Sequence, residues 1–270
     1  MRLSRGGTLA LPYGPHSSQS AEVHLPRGDG PHPVVALLHG GFWRLSQDRE
    51  SMRPLARDLA RRGFAALNLE YRRIGEPEAG WPGTFLDAAE GVASATRLPA
   101  LDARRVAVVG HCSGGHLALW AAAWLGGAQL GSDAASRPSI RAVVTLAAIT
   151  DLRAAEQDGL DLPARHAPAD GPSAVVALLG GSSVAVAARY RLGSPLDLLP
   201  LGREAAQLLV HGDADELVPP GYALRYARRA EQLGDRVRVD RYPGMGHFDM
   251  LDPRHAAWHT VVRHLTEHLM

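Results

Sequence analysis

The sequence contains no lysine; all 29 of its basic residues are arginine. Catalysis through a lysine Schiff base, including attachment of pyridoxal phosphate, is therefore excluded. It has a single cysteine, Cys112, so neither an intrachain disulfide nor a cysteine cage for zinc can form. That frugality fits a reducing cytoplasm. Isoleucine is confined to Ile74, Ile140 and Ile149, and aromatic residues make up only 6% of the chain. No apolar run is long enough to span a membrane, and Met1–Thr8 is too poor in apolar residues for a signal peptide. The formal net charge is +1, and no basic cluster is interleaved with aromatics. A nucleic-acid partner, which needs concentrated positive charge, is not expected. Neither is a membrane partner. The expectation is a cytoplasmic protein acting on a small molecule, with a homodimer left open.

With 46% hydrophobic and 21% charged residues over 270 positions, the composition suits one globular domain. Short apolar runs alternate with longer helical patterns, the signature of parallel β/α units. Pro33–His39 reads as a buried strand ending at Gly40-Gly41. Ser46 is expected to cap a helix running to Arg62. Further strands are expected at Phe64–Leu69, Arg105–Val109, Ile140–Ala148, Gln207–His211 and Val237–Tyr242. Helices are expected over Phe85–Thr96, Leu117–Leu125 and Pro220–Leu233, and from Pro253 onward. Between about 151 and 200 the pattern loosens into Pro, Gly, Ser and Ala, which reads as an inserted cap on a single domain spanning 1–270.

The chemistry concentrates at Gly110-His111-Cys112-Ser113-Gly114-Gly115, directly after a buried strand and before an alanine-rich helix. A strand, a tight turn flanked by small residues and a helix make a nucleophile elbow, whose central side chain is pushed out above the sheet edge. Cys112 is central. Centring on Ser113 instead would put His111 where the first small residue belongs. Chain order then asks for an acid and a histidine. Asp215, in the loop after Gln207–His211, is the first choice for the acid, with Asp213 as fallback. His247, on the glycine-flanked loop after the last strand, is the base. His39-Gly40-Gly41-Phe42-Trp43 supplies candidate backbone donors for an oxyanion: the N–H of Gly41 or Phe42, together with that of Ser113.

These segments resemble the esterase/lipase branch of the α/β-hydrolases, close to the kynurenine formamidase (arylformamidase)-like group. The resemblance rests on His39-Gly-Gly-Phe-Trp, Gly110-His-Cys-Ser-Gly-Gly-His-Leu-Ala, His211-Gly-x-x-Asp215 and Gly246-His247-Phe, and it covers about residues 20–268. It implies an α/β-hydrolase fold, a mostly parallel sheet flanked by helices, and acyl hydrolysis without cofactor or metal. That group carries Ser-Ala where this chain has Cys112-Ser113. Dienelactone hydrolases and some thioesterases of the same fold carry cysteine there.

A cysteine elbow implies an acyl-thioester enzyme intermediate, formed from an ester, amide or formamide, lactone or thioester. Two further readings stay open: transfer to an amine or thiol acceptor, and a repurposed member of the fold that binds a small molecule. Trp43, Trp81, Tyr190 and His111 are candidate substrate contacts. Glu70-Tyr71-Arg72-Arg73, at the same sheet edge, could brace the site by ion pairs or recognise a substrate carboxylate. His255 and His259 share a helical spacing, with His264 and His268 beyond. Lacking the glutamate of a metalloprotease motif, the run is expected to be solvated surface without metal.

Overall fold

The computed structural model describes residues 7–126, 137–161 and 172–270. Eight strands form one sheet in the order β1-β2-β4-β3-β5-β6-β7-β8. They are β1 (Thr8–Pro12), β2 (Ser20–His24), β3 (His32–Leu38), β4 (Ala65–Leu69), β5 (Leu101–His111), β6 (Ile140–Leu146), β7 (Ala206–Gly212) and β8 (Val237–Tyr242). The pairs β1/β2 and β2/β4 are antiparallel, and from β4 to β8 every pair is parallel. The mostly parallel, helix-flanked sheet expected from the sequence is what the chain forms.

Alternation along the strands builds a core on each face. Val34, Ala36 and Leu38 of β3 join one cluster, while Val35 and Leu37 join the other. The first cluster is covered by α2 (Gly83–Ala93), α3 (Ser113–Gly126) and α7 (Gly221–Gln232). The second is covered by α1 (Arg53–Arg61) and α8 (Ala256–Leu269). On α1, Leu55 and Leu59 are fully buried, each contributing about 1.5–3 kcal/mol of transfer free energy. Trp258 of α8 adds a hydrogen bond from its indole N–H to Asp58 Oδ2 at 2.8 Å, tying the two helices together. Helix α3 is buried on nearly every face, as its run of Leu, Ala and Trp demands.

Several boundaries differ from the sequence expectation. Ser46 caps nothing: the segment opens as a short 3-10 turn, Arg49–Met52, whose cap is Asp48, and α1 follows with Pro54 in its first turn. The C-terminal helix starts at Ala256, and His255 is its cap, with Nδ1 accepting from the Ala257 N–H at 3.1 Å. Strands β1 and β2 have no counterpart in the expected pattern, because they pair at the sheet's antiparallel end with only one face buried.

The expected cap region carries α4 (Leu152–Gln157), α5 (Ala174–Leu179) and α6 (Ala187–Gly193); residues 162–171 of it lie outside the described residues. Its described part is pinned to the α2/α3 layer by three backbone carbonyls. Leu178 O accepts from Trp81 N–H, Leu192 O from the Trp120 indole at 2.8 Å, and Gly193 O faces His116 Nε2 at 2.9 Å.

Candidate active site

Strand β5 and helix α3 meet at Cys112, whose φ of 54° lies in the left-handed region. For a non-glycine residue that conformation costs on the order of 1–3 kcal/mol and persists only where the surroundings enforce it. Here the Cys112 N–H donates to Leu146 O at 2.8 Å, and its carbonyl accepts from the Gly115 and His116 N–H groups. The flanking glycines are steric necessities. A Cβ at Gly110 would stand 2.1 Å from Gly114 O, and one at Gly114 would stand 2.2 Å from Leu38 O. Cys112 is thus fixed at the carboxyl end of the parallel sheet beside β3, where the strand order reverses direction.

His247 follows β8 on a turn whose Gly246 N–H is held by Asp249 Oδ2 at 2.8 Å. Its Nδ1 faces Asp215 Oδ2 at 2.8 Å, and both side chains are buried. The other oxygen of Asp215, Oδ1, accepts from the Leu217 and Val218 N–H groups, each at 2.9 Å. Burial alone would lower the His247 pKa, but the neighbouring Cys112 charge, with hydrogen bonds to Asp215 and to Cys112, raises it to about 10. The His247 ring thus faces the buried Asp215 carboxylate and lines the same cleft as Cys112. Asp213, the fallback acid, pairs on the surface with Arg241 at 2.7 Å.

The loop after β3 approaches the same point. Gly41, Phe42 and Trp43 have φ values of 113°, 52° and 58° in succession, which turns this stretch of backbone away from the strand direction. The Trp43 N–H reaches Ser113 Oγ at 3.4 Å, linking the loop to the first turn of α3. Behind it, His39 stacks on Tyr71 with ring centroids 4.4 Å apart, and its Nε2 meets Glu70 Oε1 at 2.7 Å. The Tyr71 hydroxyl donates to His39 O at 2.8 Å.

A cleft of about 60 Å³ opens over Cys112 and His247. His111, Gly41 and Phe42 line it, joined by Gln47, Leu217, Phe248 and Leu251. Those four were not singled out in the sequence. Phe248 alone carried a signal: a large apolar residue next to the motif histidine, and here 58% exposed. Trp43, Trp81 and Tyr190, offered as substrate contacts, are not among the lining residues. Trp43 is fully buried with its ring edge against His116, and Tyr190 is buried with its hydroxyl on Gly181 O. Trp81 packs on Phe85 and Trp120, and lines a separate cavity of about 630 Å³ between α2, α3 and the 192–201 segment. These rings are turned inward by packing between distant segments, Trp43 on His116 and Trp81 on Trp120, which a linear sequence does not display.

The Glu70–Arg73 segment has its charges engaged within the protein. Arg72 is held by Asp87 and Glu78, Arg73 lies 3.5 Å from both Glu70 and Glu76, and Glu70 meets His39. Its role in the structure is bracing. Among the described residues, no helix is long and apolar enough to cross a membrane.

Comparison with known proteins agrees with this geometry. Residues 22–227 match the profile of the BD-FAE family. A truncated carbohydrate esterase from gut microbiota superposes with a TM-score of 0.79 at 20% identity, covering 99% of this chain and 98% of that one. Esterase 2 of the planctomycete Thermogutta terrifontis superposes with a TM-score of 0.72 at 18% identity, covering 97% of this chain and 91% of that one. The bifunctional GH43-CE protein of Bacteroides eggerthii gives 0.77 at 20% identity; 96% of this chain corresponds to 35% of that longer one. At these identities the superpositions establish an α/β-hydrolase fold. Among curated proteins no sequence matches.

Proposed function

The chain belongs to the BD-FAE family, an α/β-hydrolase-type esterase family, and from that premise we propose that it cleaves acyl esters through a Cys112–His247–Asp215 triad. The observation that carries this reading is the placement of the three side chains. A cysteine is held at a strained elbow, beside an imidazole whose pKa is raised to about 10 and whose far nitrogen is fixed by a buried carboxylate.

In this reading Cys112 and His247 start as a thiolate–imidazolium pair, and the sulfur attacks the acyl carbonyl. The carbon–sulfur bond forms, and the carbonyl oxygen becomes an oxyanion held by the N–H groups of Gly41 or Phe42 and of Ser113. Ser113 stands in the first turn of α3, where helical N–H groups lack intrahelical partners and the helix dipole favours negative charge. His247 then protonates the departing alcohol oxygen as the carbon–oxygen bond breaks, leaving an acyl-thioester on Cys112. Water attacks that thioester, gives a proton to His247, and the sulfur departs to restore the starting state. Preorganised donors of this kind are typically worth about 2.7–4 kcal/mol each in the transition state.

The test is intact-protein mass spectrometry after brief exposure to aryl esters, acetylated sugars, lactones, formyl-anilides and acyl-thioesters. An acyl adduct that maps to Cys112 and turns over is the expected result. Full turnover by a Cys112→Ala variant, or an adduct on Ser113, would refute the assignment.

A further inference from the structure

The far end of α8 carries a second group of chemistry-bearing side chains, none of which lines the Cys112 cleft. The sequence run His264-Leu-Thr-Glu267-His268 puts three ligand residues at i, i+3 and i+4, on one face of the helix. In the folded chain one ligand atom from each lies within 4.8 Å of the other two. We propose that His264, Glu267 and His268 form a binding site for a divalent transition-metal ion of the zinc class on the last turns of α8.

The two histidines differ in a way that suits a metal site. His264 is buried, contrary to the solvated surface expected from the sequence, and its Nε2 faces Ala206 O at 3.4 Å. A proton on Nε2 directed at that carbonyl leaves the Nδ1 lone pair as the donor to a metal. A backbone carbonyl behind a ligating imidazole is the outer-shell arrangement that fixes ring orientation and tautomer. His268 lies across it with ring centroids 4.5 Å apart at 71°, and is only partly buried.

Zinc bonds of about 2.0–2.1 Å require the donors to draw closer than they stand. The exposed Glu267 and half-exposed His268 have the rotamer freedom to do so, while His264 is anchored. Arg236 and Arg238 put positive charge nearby, which the Glu267 carboxylate opposes. Two imidazoles and one carboxylate leave a fourth position for water. Such a set favours copper, nickel and zinc over magnesium or calcium, which demand oxygen ligands.

The experiment titrates untagged full-length protein with zinc and nickel by calorimetry, alongside His268→Ala, His264→Gln and Cys112→Ala variants. One ion is expected to bind the native chain. Affinity should fall roughly tenfold or more in His268→Ala, at least what losing an outer-shell partner costs, and should persist in Cys112→Ala. Copper EPR should show coupling to two nitrogens in the native protein and to fewer in His268→Ala. A metal-free melting curve for His268→Ala, expected to match the native one, separates lost ligation from lost fold. Absence of binding, equal affinity in His268→Ala, or loss of the ion in Cys112→Ala would overturn the site.

Discussion

His211 and His247 address one carboxylate oxygen: Oδ2 of Asp215 lies 2.8 Å from His247 Nδ1 and 3.5 Å from His211 Nε2. His211 Nε2 also meets Val218 O at 2.8 Å, so it holds both ends of the loop that carries the acid. Burial pushes the Asp215 carboxyl up, yet hydrogen bonds from His211 and His247 outweigh it and hold the group well below the usual carboxylate range. The orientation of His247 therefore rests on a carboxylate that is itself clamped from behind.

This clamp leads to a prediction about how much the acid matters. A thiol gives up its proton more readily than a hydroxyl, so Cys112 should lean on Asp215 less than a serine would. Asp215→Asn is expected to lower kcat roughly 10²-fold in the native chain, near the lower end for general acid–base effects. In a Cys112→Ser background the same change should cost closer to the roughly 10⁴-fold typical of serine triads. Equal losses in both backgrounds, measured as a double-mutant cycle on kcat, would show that the thiol brings no such independence.

The pH dependence follows from His247. Its folded pKa, about 10, is raised above the ordinary 6.5, with Cys112 the largest of the raising influences. The stability it contributes is thus full below pH 6.5 and lost as pH rises through about 10. Activity should hold on the alkaline side and decline near pH 10, where the proton for the leaving group is gone. Cys112→Ser removes the neighbouring charge and should return the imidazole toward its ordinary range. NMR titration of the His247 ring in both proteins tests this; identical titrations would remove Cys112 as the cause.

Much of this site was legible before the fold, and the reason is local. Gly110, Cys112 and Gly114 announce themselves because no larger residue fits the first and last positions, where a Cβ would meet backbone oxygen. Asp215 and His247 are marked by their loops after strands. The aromatic contacts were not legible. Trp81 and Tyr190 lie in the right segments, but which way a ring faces is decided by packing between distant elements, such as Trp81 against Trp120 and Phe85. His264 was misread as surface because its burial arises from β7, nearly sixty residues away in sequence.

The dimensions of the cleft predict the acyl group. The narrow cleft lined by Gly40, Phe42, His111 and Leu217 favours a short acyl group over a long one. Rotamer shifts in a packed wall to fit longer chains cost on the order of 1–3 kcal/mol. Acetyl and propionyl aryl esters should therefore exceed the hexanoyl ester in kcat/KM by roughly 10-fold or more, since each 1.36 kcal/mol is a factor of ten. A rate that climbs with chain length would place the acyl group elsewhere.

The buried histidines predict an acid limit to stability. Burial lowers His111 to about 3, and His116 and His264 to about 4, so these rings fold neutral. The unfolded chain begins to protonate them near pH 6.5, hence stability is complete above that value and falls as pH drops toward 4. At pH 5 each such group costs about 2 kcal/mol, from 1.36 kcal/mol per unit over about 1.5 units. His116 offers the cleanest test. It lies outside the cleft lining, and its Nε2 contact to Gly193 O can be taken over by a glutamine or asparagine amide. Denaturant unfolding of His116→Asn and native protein should show the variant losing less stability between pH 7 and pH 5. If the two curves run parallel across that interval, His116 is not part of the acid limit, whatever the variant costs at pH 7.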